Sequence, residues 1–360
     1  MNKAENKVLK KILKILLIAV NILAVIAMLI PAFSQYLPPA KYAFAVYLGL
    51  FFLPIVLLNV FFVLFWLFKW KIYILISAIS ICVVYSDIKV SFSFFNRQKQ
   101  ETGKTIKVLT YNVMLFNYYD KKSKTLNYIN NSGADIVCLQ EFGWHKNGKD
   151  FLSKEKIISS LSNYPYCHIN IALDNKKVTY GIATFSKYPI VRKHRIDYES
   201  YFNSSTYSDI KIDDDTVRIF NNHLESNRLT KNDKDRLSEE MDSEIISQTA
   251  HKLSVAAAIR AKQADSVAAE MARSPYKVIA CGDFNDIPMS YVYQKISNDL
   301  QDTFVGSGKG IGITFSDKLY RFRIDYILAN EHFKYYGYEI DKVKFSDHYP
   351  VFSRIKIDKD

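Results

Sequence analysis

The sequence is poor in cysteine and, over its first hundred residues, in acidic side chains. Four cysteines in 360 residues exclude the disulfide-dense scaffold of a small secreted protein. Residues 1–100 carry two Asp and Glu against eleven Lys and Arg, a net charge of +9 out of +12 for the whole chain. Residues 101–360 therefore carry only +3. The basic excess belongs to the first hundred residues, so it is weak evidence for nucleic-acid binding.

The chain also lacks three motifs that would assign a chemistry directly. It has no zinc-type cluster of Cys and His, no Walker A phosphate loop and no Gly-x-Ser-x-Gly elbow of a serine hydrolase. Its 49% of hydrophobic and 14% of aromatic residues exclude a disordered or low-complexity chain.

Three apolar runs fill the first ninety residues, at 12–30, 43–68 and 72–86. The first contains one charge, Lys14, ends at Pro31 and would span roughly 28 Å as a helix. A signal peptide is the alternative for this run, but it is long, lacks a small-x-small exit, and further runs follow. We predict a membrane module of about three transmembrane helices at 1–90, or of two if the short third run does not cross.

The distribution of lysine predicts the orientation of these spans. The first span is preceded or opened by five lysines, and the turn after the second span adds two, whereas the first loop offers only Lys41. The positive-inside rule then places the N-terminus in the cytoplasm, and three spans place the C-terminal part outside. With two spans, the C-terminal part would lie in the cytoplasm.

A polar linker is expected at 91–104, and a catalytic domain at 105–360 with short strands alternating with helices. Near-continuous apolar runs such as 105–113 and 134–142 are typical of strands covered on both faces. Further strands are expected at 166–173, 179–186, 206–212, 216–224, 276–285, 322–329 and 350–357, and helices at 122–133, 239–273 and 290–299. Such a mixture predicts one α/β core of about 250 residues.

Polar side chains recur where these apolar strands end. Alone, each has an ordinary explanation as a turn or helix-capping residue. Together they are expected to converge on one edge of a packed sheet, because strand ends meet there. The residues are Asn112, Glu141, His223, Asp283, Asn285, Asp325, Asp347 and His348.

This set of side chains suits phosphoester hydrolysis. Mg²⁺ uses few carboxylates, so Glu141 with one further acid would hold it, and Mn²⁺ would fit as well. Asp283 would orient or deprotonate the attacking water, and Asp325 would hold a positively charged His348 near the phosphate. The remaining donors for the phosphoryl oxygens would be Asn112, Asn285 and His223.

Six motifs carry a resemblance to a known superfamily: "TYNV", "LQEF", "NNHLES", "GDFNDIP", "RIDYIL" and "SDHYP". In order and approximate spacing they resemble the endonuclease/exonuclease/phosphatase (DNase I-like) superfamily, over roughly residues 105–357. The resemblance implies a four-layer α/β/β/α sandwich and Mg²⁺-dependent hydrolysis of phosphodiesters or phosphomonoesters.

The resemblance also implies roles for the motif residues. Glu141 would be the principal Mg²⁺ ligand with Asn112 close by, and Asp347 would face the metal or a bound water. His223 and Asn285 would bind the phosphate. Asp283 would act on the water, and Asp325 would orient His348.

Three further positions refine the resemblance. Arg260 matches a supporting position, acting through Glu225 or a strand-end carbonyl; the alternative is a solvated helix residue. Apurinic endonucleases carry an acid where this chain has Met114 and a Tyr where it has His223. Both departures favour the DNase-like and phosphatase-like branches over abasic-site repair.

These features are compatible with three functions. The first is a membrane-anchored, Mg²⁺-dependent phosphoesterase acting outside the cytoplasm on lipid head groups or other small phosphoesters. The second is a membrane-anchored nuclease, with the basic strip 187–195 as its binding surface. The third, a non-catalytic binding module, is disfavoured because every motif residue is present. The expected partners are a phosphoester substrate and the bilayer, with no obligate protein partner evident. Loops at 143–157, 225–245 and 304–318 are expected to select the substrate.

Overall fold

The structure is a computed structural model of the 360-residue chain. It describes residues 3–94, 103–117, 124–146, 152–239, 242–317, 320–331 and 333–357. Parts of the expected linker, of the helix expected at 122–133 and of the three substrate-selecting loops lie outside these described residues, at 95–102, 122–123, 147–151, 240–241 and 318.

The N-terminal module consists of helices α1 (Lys3–Ser34), α2 (Ala45–Phe68), α3 (Ile74–Val83) and α4 (Tyr85–Ser91). Helices α1 and α2 are long and apolar enough to cross a membrane. Helices α3 and α4 meet at a 64° bend and would make a third crossing if they count as one span. The expectation that the first run ends at Pro31 is wrong, because α1 continues through this proline to Ser34. Prolines are tolerated in such helices where neighbouring groups satisfy the freed backbone.

A chain of buried polar side chains holds α1, α2 and α3 together. The Asn21 amide donates to the Ser77 hydroxyl at 2.5 Å, and that hydroxyl donates to Asn59 Oδ1 at 3.0 Å. The Trp66 indole donates to Asn21 Oδ1 at 2.9 Å. Helix association in a bilayer gains little from burying apolar surface, so polar contacts of this kind join the helices.

Helix α3 lies antiparallel to α2 along most of its length. At one end the Tyr73 ring contacts the Trp66 ring at 5.1 Å, and at the other end Val84 packs in one cluster with Met28 and Phe52. The chain thus returns to the end of the bundle where α1 ends and α2 begins. The contacts with the catalytic domain are at this end: Gln35 with Gln294, Tyr47 with Ala250, Val90 with Arg323 and Ser93 with Gly310.

Two six-stranded sheets make up the catalytic domain, and a two-stranded ribbon lies beside them. The first sheet has the strand order β13-β14-β1-β2-β4-β3 and the second the order β5-β6-β7-β8-β12-β9. The strands of the first sheet are β1 (Thr105–Asn112), β2 (Ile136–His145), β3 (Tyr166–Asp174), β4 (Val178–Ser186), β13 (Lys334–Ile340) and β14 (Val351–Lys356). Those of the second are β5 (Ile190–Arg195), β6 (Ser204–Ile212), β7 (Asp215–His223), β8 (Lys277–Asp283), β9 (Leu300–Asp302) and β12 (Asp325–Asn330). The ribbon pairs β10 (Phe315–Ser316) with β11 (Arg321–Phe322).

The sheets pack face to face with helices outside, so the expected four-layer α/β/β/α sandwich is confirmed. Val108, Ile219 and Ile327 belong to the cluster between the sheets. Outside the first sheet lie α5 (Lys124–Asn130) and α6 (Lys154–Ser160), and outside the second lie α8 (Ser243–Ala272) and α9 (Tyr291–Ser297). A further helix, α7 (Lys231–Glu239), precedes α8.

The expected elements differ from the observed ones in several places. The basic strip 187–195 contains an edge strand, β5, and β13 is a strand that was not expected. The strand expected at 322–329 is interrupted, because β11 ends at Phe322 and β12 begins at Asp325. The helix expected from residue 239 begins at Ser243, where the Asp242 carboxylate accepts from the Ile245 N–H at 2.8 Å and caps it.

Candidate active site

Strand pairing in the second sheet places three site residues side by side. His223 of β7 is the register partner of Asp283 of β8, and Asp325 of β12 is the antiparallel partner of the same Asp283. Register partners share a face, and residues two positions away along these strands, Cys281 and Ile327, belong to the core between the sheets. The three side chains therefore face the first sheet at one end of the core, and all are buried.

The first sheet contributes Glu141 through an irregularity in β2. Pairing between β2 and β4 shifts register between Leu139 and Phe142, and Glu141 has a left-handed backbone with φ of 49°. In a regular strand, Gln140 and Glu141 would point to opposite faces. The bulge lets Gln140 stay between the sheets while the Glu141 carboxylate comes within 3.3 Å of the Asn112 amide nitrogen.

The Asp283 carboxylate accepts hydrogen bonds from residues that follow strands of both sheets or end them. Its Oδ2 accepts from the Asn112 amide at 3.0 Å, and its Oδ1 accepts from the Asn285 backbone N–H at 2.8 Å. The Nε2 atoms of His348 and His223 lie 3.6 and 3.9 Å from Oδ2. Burial raises the pKa of Asp283, while the two imidazoles and the Asn112 amide oppose that shift.

His348 and Asp325 form a buried pair. Nδ1 of His348 lies 2.9 and 3.1 Å from the two carboxylate oxygens of Asp325. Burial alone would lower the pKa of His348, but the carboxylates of Asp325 and Asp283 together raise it well above its ordinary value. His348 is held from the other side by an isolated bridge to Phe315, whose ring lies 5.0 Å from the imidazole. The imidazole is therefore fixed in orientation and charged.

His223 has the opposite electrostatic character. Burial lowers its pKa to about 4, and Asp283 only partly opposes this. Its ring packs near Tyr180 at 6.2 Å, with Nε2 also 4.0 Å from a Glu141 oxygen. Two histidines about equally close to Asp283 thus have different charge at neutral pH, one neutral and one positive.

The carboxylates of Glu141, Asp283 and Asp347 crowd one another. Burial, followed by the charges of Asp347 and Asp283, raises the pKa of Glu141 to about 7, although His348 and Asn112 oppose the shift. The Glu141 side chain is 31% accessible, and its carboxylate oxygens are of the kind that hard divalent cations bind. Among the described residues, Asp283, Asp325 and His348 form a tighter group, with ligand atoms within 4.8 Å of one another. Within that group, Nδ1 of His348 already contacts the Asp325 carboxylate.

The two asparagines of the motifs are both oriented by their neighbours. Asn112 accepts from the Met114 N–H at 3.1 Å and donates its amide hydrogens to Glu141 and Asp283, so it offers them nitrogen rather than oxygen. Asn285 has a left-handed backbone with φ of 53°, and its amide donates to the Leu224 carbonyl at 2.9 Å.

Arg260 is buried beneath two loops of the site. Its Nη1 donates to the Glu225 carbonyl at 2.5 Å and its Nε to the Asp286 carboxylate at 3.0 Å. Glu225 follows His223 by two residues, and Asp286 follows Asn285 directly. The alternative of a solvated helix residue is excluded, since Arg260 is only 2% exposed.

A buried layer of amide side chains beneath the site was not anticipated. Gln140 donates to Asn221 Oδ1 at 2.7 Å across the two sheets and to the Thr110 hydroxyl at 3.1 Å. Asn221 donates in turn to the Ala183 carbonyl at 3.0 Å. Unlike the apolar core below it, this layer fixes the relative position of β2 and β7. The available signal was an amide adjacent to Glu141 and another two residues before His223, both inside apolar strands.

A cavity of about 360 Å³ opens above these groups. Glu141, Asp283, Asn285, Asp347 and His348 lie along one part of it, and Val46, Tyr47 and Leu50 of helix α2 lie along another. A larger cavity, of about 800 Å³, lies beside α8 and α9 near Gln35, and none of the expected site residues lines it.

A metal-dependent phosphoester hydrolase uses carboxylates, imidazoles and amides that are brought together in this way. Residues 109–348 match the profile of the Endonuclease/Exonuclease/phosphatase family, and the chain belongs to this family of metal-dependent phosphoester hydrolases. Residues 11–91 match a domain family of unknown function, DUF8431. Comparison with curated proteins found no match for this chain.

Two solved structures with TM-scores of 0.50 or more show the same fold. The endonuclease/exonuclease/phosphatase from Bacteroides vulgatus is 16% identical with a TM-score of 0.51, covering 71% of this chain and 100% of its own. A humanized D. rerio TDP2 is 16% identical with a TM-score of 0.50, covering 70% and 99%. A family protein from Leptotrichia buccalis is 19% identical with a TM-score of 0.49, covering 70% and 100%.

Proposed function

We propose that this chain is a membrane-anchored, Mg²⁺-dependent phosphoesterase that cleaves phosphodiesters or phosphomonoesters of lipid head groups or other small molecules. The observation that carries the proposal is the convergence on Asp283. Asn112 from the first sheet, His348 from the loop before β14 of that sheet, and His223 and the Asn285 backbone from the second sheet all lie within 4 Å of its carboxylate oxygens.

We assign Glu141 and Asp347 to the metal. Both offer the hard oxygen donors that Mg²⁺ and Mn²⁺ prefer, and Asn112 orients the Glu141 carboxylate through its amide. When bound, the cation would neutralise charge on the phosphoryl oxygens.

The remaining side chains bind the phosphate and move protons. Asp283 accepts a proton from the attacking water, since its Oδ2 is held between donors and faces the cavity. His348, oriented through Nδ1 by Asp325, presents Nε2 to the phosphate. His223 offers a neutral imidazole, and Asn285 retains one amide hydrogen for a phosphate oxygen. Arg260 holds the loops that carry His223 and Asn285.

We further propose that the catalytic domain lies outside the cytoplasm. The N-terminus and the turn between α2 and α3 share the end of the helical bundle remote from the catalytic domain. That end carries Lys3, Lys7, Lys10, Lys11, Lys14, Lys69 and Lys71. A phosphatase reporter fused after residue 94 should be active and a fluorescent cytoplasmic reporter dark; the reverse pattern would refute this orientation.

The nuclease alternative rests on the basic strip 187–195. Arg192, Lys193 and Arg195 lie on β5, at the edge of the second sheet. Edge strands commonly carry charged residues that prevent pairing with other chains, so this strip has an explanation that needs no nucleic acid. The cavity of about 360 Å³ also suits a small phosphoester better than a duplex.

The test is an assay of the purified full chain in detergent micelles with Mg²⁺. Bis(p-nitrophenyl) phosphate, a dioleoyl phospholipid and plasmid DNA would be compared as substrates. We expect hydrolysis of the first two, and its loss in Asp283→Asn. Asp213→Asn, an exposed aspartate in a turn with φ of 55°, is the matched control. Cleavage of DNA alone would favour the nuclease, and no hydrolysis of any substrate would refute the proposal.

A further inference from the structure

The catalytic cavity is not walled by the catalytic domain alone. Val46, Tyr47 and Leu50, in the first turns of α2, line the same cavity as Glu141 and His348. Helix α2 is one of the two helices long and apolar enough to cross a membrane. The wall of the cavity is therefore continuous with a candidate membrane span.

This wall is held firmly against the catalytic domain. The Tyr47 hydroxyl donates to the Ala250 carbonyl of α8 at 2.5 Å. A Cβ at Gly49 would lie 2.5 Å from the Met289 carbonyl oxygen, so the backbones approach as closely as glycine permits. Met289 packs in one cluster with Met28 and Phe52 of the membrane module. The contacts of Tyr47 and Gly49, which lie between Val46 and Leu50 in the chain, thus hold both residues at the cavity.

The wall also differs in chemistry from the rest of the cavity. One part of the lining consists of the carboxylates and His348. Another part is aliphatic, with Val46 and Leu50 from α2 and Leu229, Leu253 and Ile287 from the catalytic domain, beside the polar Tyr47 and Arg228. Leu50 is 41% exposed, and its neighbour Phe51 is 58% exposed. Exposed apolar side chains where a span begins suit the bilayer boundary. The cavity has a charged part and an apolar part, and the apolar part continues onto the membrane-facing helix.

We propose that the first turns of α2 are part of the substrate-binding site and receive the acyl region of a membrane phospholipid. Its phosphoester lies at Glu141 and His348, and its chains pass over Val46 and Leu50 toward the bilayer. This inference rests on the proposed phosphoesterase function and adds that the membrane module selects the substrate. A small phosphoester lacking chains would gain nothing from this wall.

The experiment compares lipids with their chain-free counterparts, using the full chain in detergent micelles. Dioleoyl phospholipids with glycerol, ethanolamine and choline head groups are set against the corresponding glycerophosphodiesters and bis(p-nitrophenyl) phosphate. Leu50→Gln is expected to lower the ratio of kcat/KM for lipid to that for bis(p-nitrophenyl) phosphate about tenfold, because a leucine-sized apolar contact is lost. Leu48→Gln, two positions along the helix and outside the cavity lining, should leave the ratio unchanged.

Each outcome separates the inference from the function on which it rests. Hydrolysis of bis(p-nitrophenyl) phosphate without hydrolysis of any dioleoyl lipid would overturn the lipid inference and leave the phosphoesterase function standing. A ratio unaffected by Leu50→Gln, or lowered equally by Leu48→Gln, would show that the wall is only structural. Absence of hydrolysis of every substrate by the unmodified chain would refute the phosphoesterase function itself, and the lipid inference with it.

Discussion

In the second sheet, His223, Asp283 and Asp325 occupy one row set by strand pairing, whereas in the first sheet Glu141 reaches the site from a bulged residue with left-handed backbone angles. A non-glycine residue in that region costs about 1 kcal/mol, which the surrounding sheet must offset. We call the row of His223, Asp283 and Asp325 the regular half of the site and the bulged Glu141 the strained half. The proposed proton chemistry lies on the regular half, and the proposed metal lies on the strained half. The two halves should therefore respond differently to mutation and to metal.

The largest effect is expected from removing the metal, which tests the strained half. Excess EDTA should abolish hydrolysis, and Mg²⁺ or Mn²⁺ should restore it, because the site offers carboxylates without a cysteine cluster. Glu141→Gln should raise the half-saturating Mg²⁺ concentration by roughly 10- to 100-fold in activity titrations. Glu155→Gln on the exposed face of α6 is the control. Full activity in excess chelator would contradict the assignment.

Variants of His348 and of Asp325, the residue of the regular half that orients it, should lose rate in a way that metal does not repair. His348→Ala is expected to lower kcat by roughly 10³-fold at saturating Mg²⁺, since it removes the positive charge beside the phosphate. Asp325→Asn should cost less, because the imidazole remains but loses its charged partner. The measurement is kcat across Mg²⁺ concentrations, and recovery at high Mg²⁺ would erase the difference between the halves.

The same two residues provide a test of coupling. If Asp325 acts only by orienting His348, the double variant should be little slower than His348→Ala alone. Additive losses in log kcat would mean independent roles. Arg323 is no alternative partner for Asp325, because its guanidinium binds the buried Asp302 carboxylate at 2.6 Å.

A smaller effect is expected where Arg260 supports loops of the regular half. Arg260→Lys keeps the charge but cannot reach the Glu225 carbonyl and the Asp286 carboxylate together. We expect kcat to fall about tenfold with the half-saturating Mg²⁺ concentration unchanged, and Tm to fall measurably. Arg273→Lys, 74% exposed at the end of α8, is the matched control. A shift in Mg²⁺ dependence instead would place Arg260 with the metal half.

The smallest effect on catalysis is expected for a histidine outside both halves of the site. His168 of β3 contacts the Ser208 hydroxyl of β6 at 2.9 Å, and burial lowers its pKa to about 4. Its unfolded pKa is about 6.5, so the unfolded chain binds the proton first, and stability falls as pH drops from about 6.5 to about 4. The loss should reach about 3 kcal/mol. In chemical denaturation at several pH values, His168→Gln should reduce this loss of unfolding free energy while kcat stays unchanged. A pH dependence as steep as that of the unmodified chain would contradict the prediction.

The regular half is the part that the sequence makes predictable. Apolar strands that end in His223 and Asp283, together with the motif that contains Asp325, indicate a sheet edge, and the regular register of β7, β8 and β12 then aligns the three residues. Even the interruption before Asp325 does not disturb this row, because β12 begins at that residue. The sandwich follows from the same strands, since both faces of each sheet must be covered.

The strained half and the cavity wall are less accessible to sequence reasoning. Glu141 was expected at the site, but the bulge that turns it inward depends on pairing with β4, a contact between residues distant in the chain. The Gln140–Asn221 contact and the position of Val46 depend in the same way on packing between segments. Pro31 illustrates the limit for local signals, because the helix runs through it where packing and apolar surroundings permit.

The close approach of Gly49 to Met289 has a consequence for how the protein is made. Because the chain is synthesised from its N-terminus, α1 and α2 leave the ribosome before any strand of the sandwich. The last piece of the cavity, the turn carrying Val46 and Leu50, is in place only when α2 packs against the loop that carries Met289. Under the membrane anchoring that we propose, a newly made chain in which α2 is not packed there would carry the complete set of motif residues in an unfinished cavity.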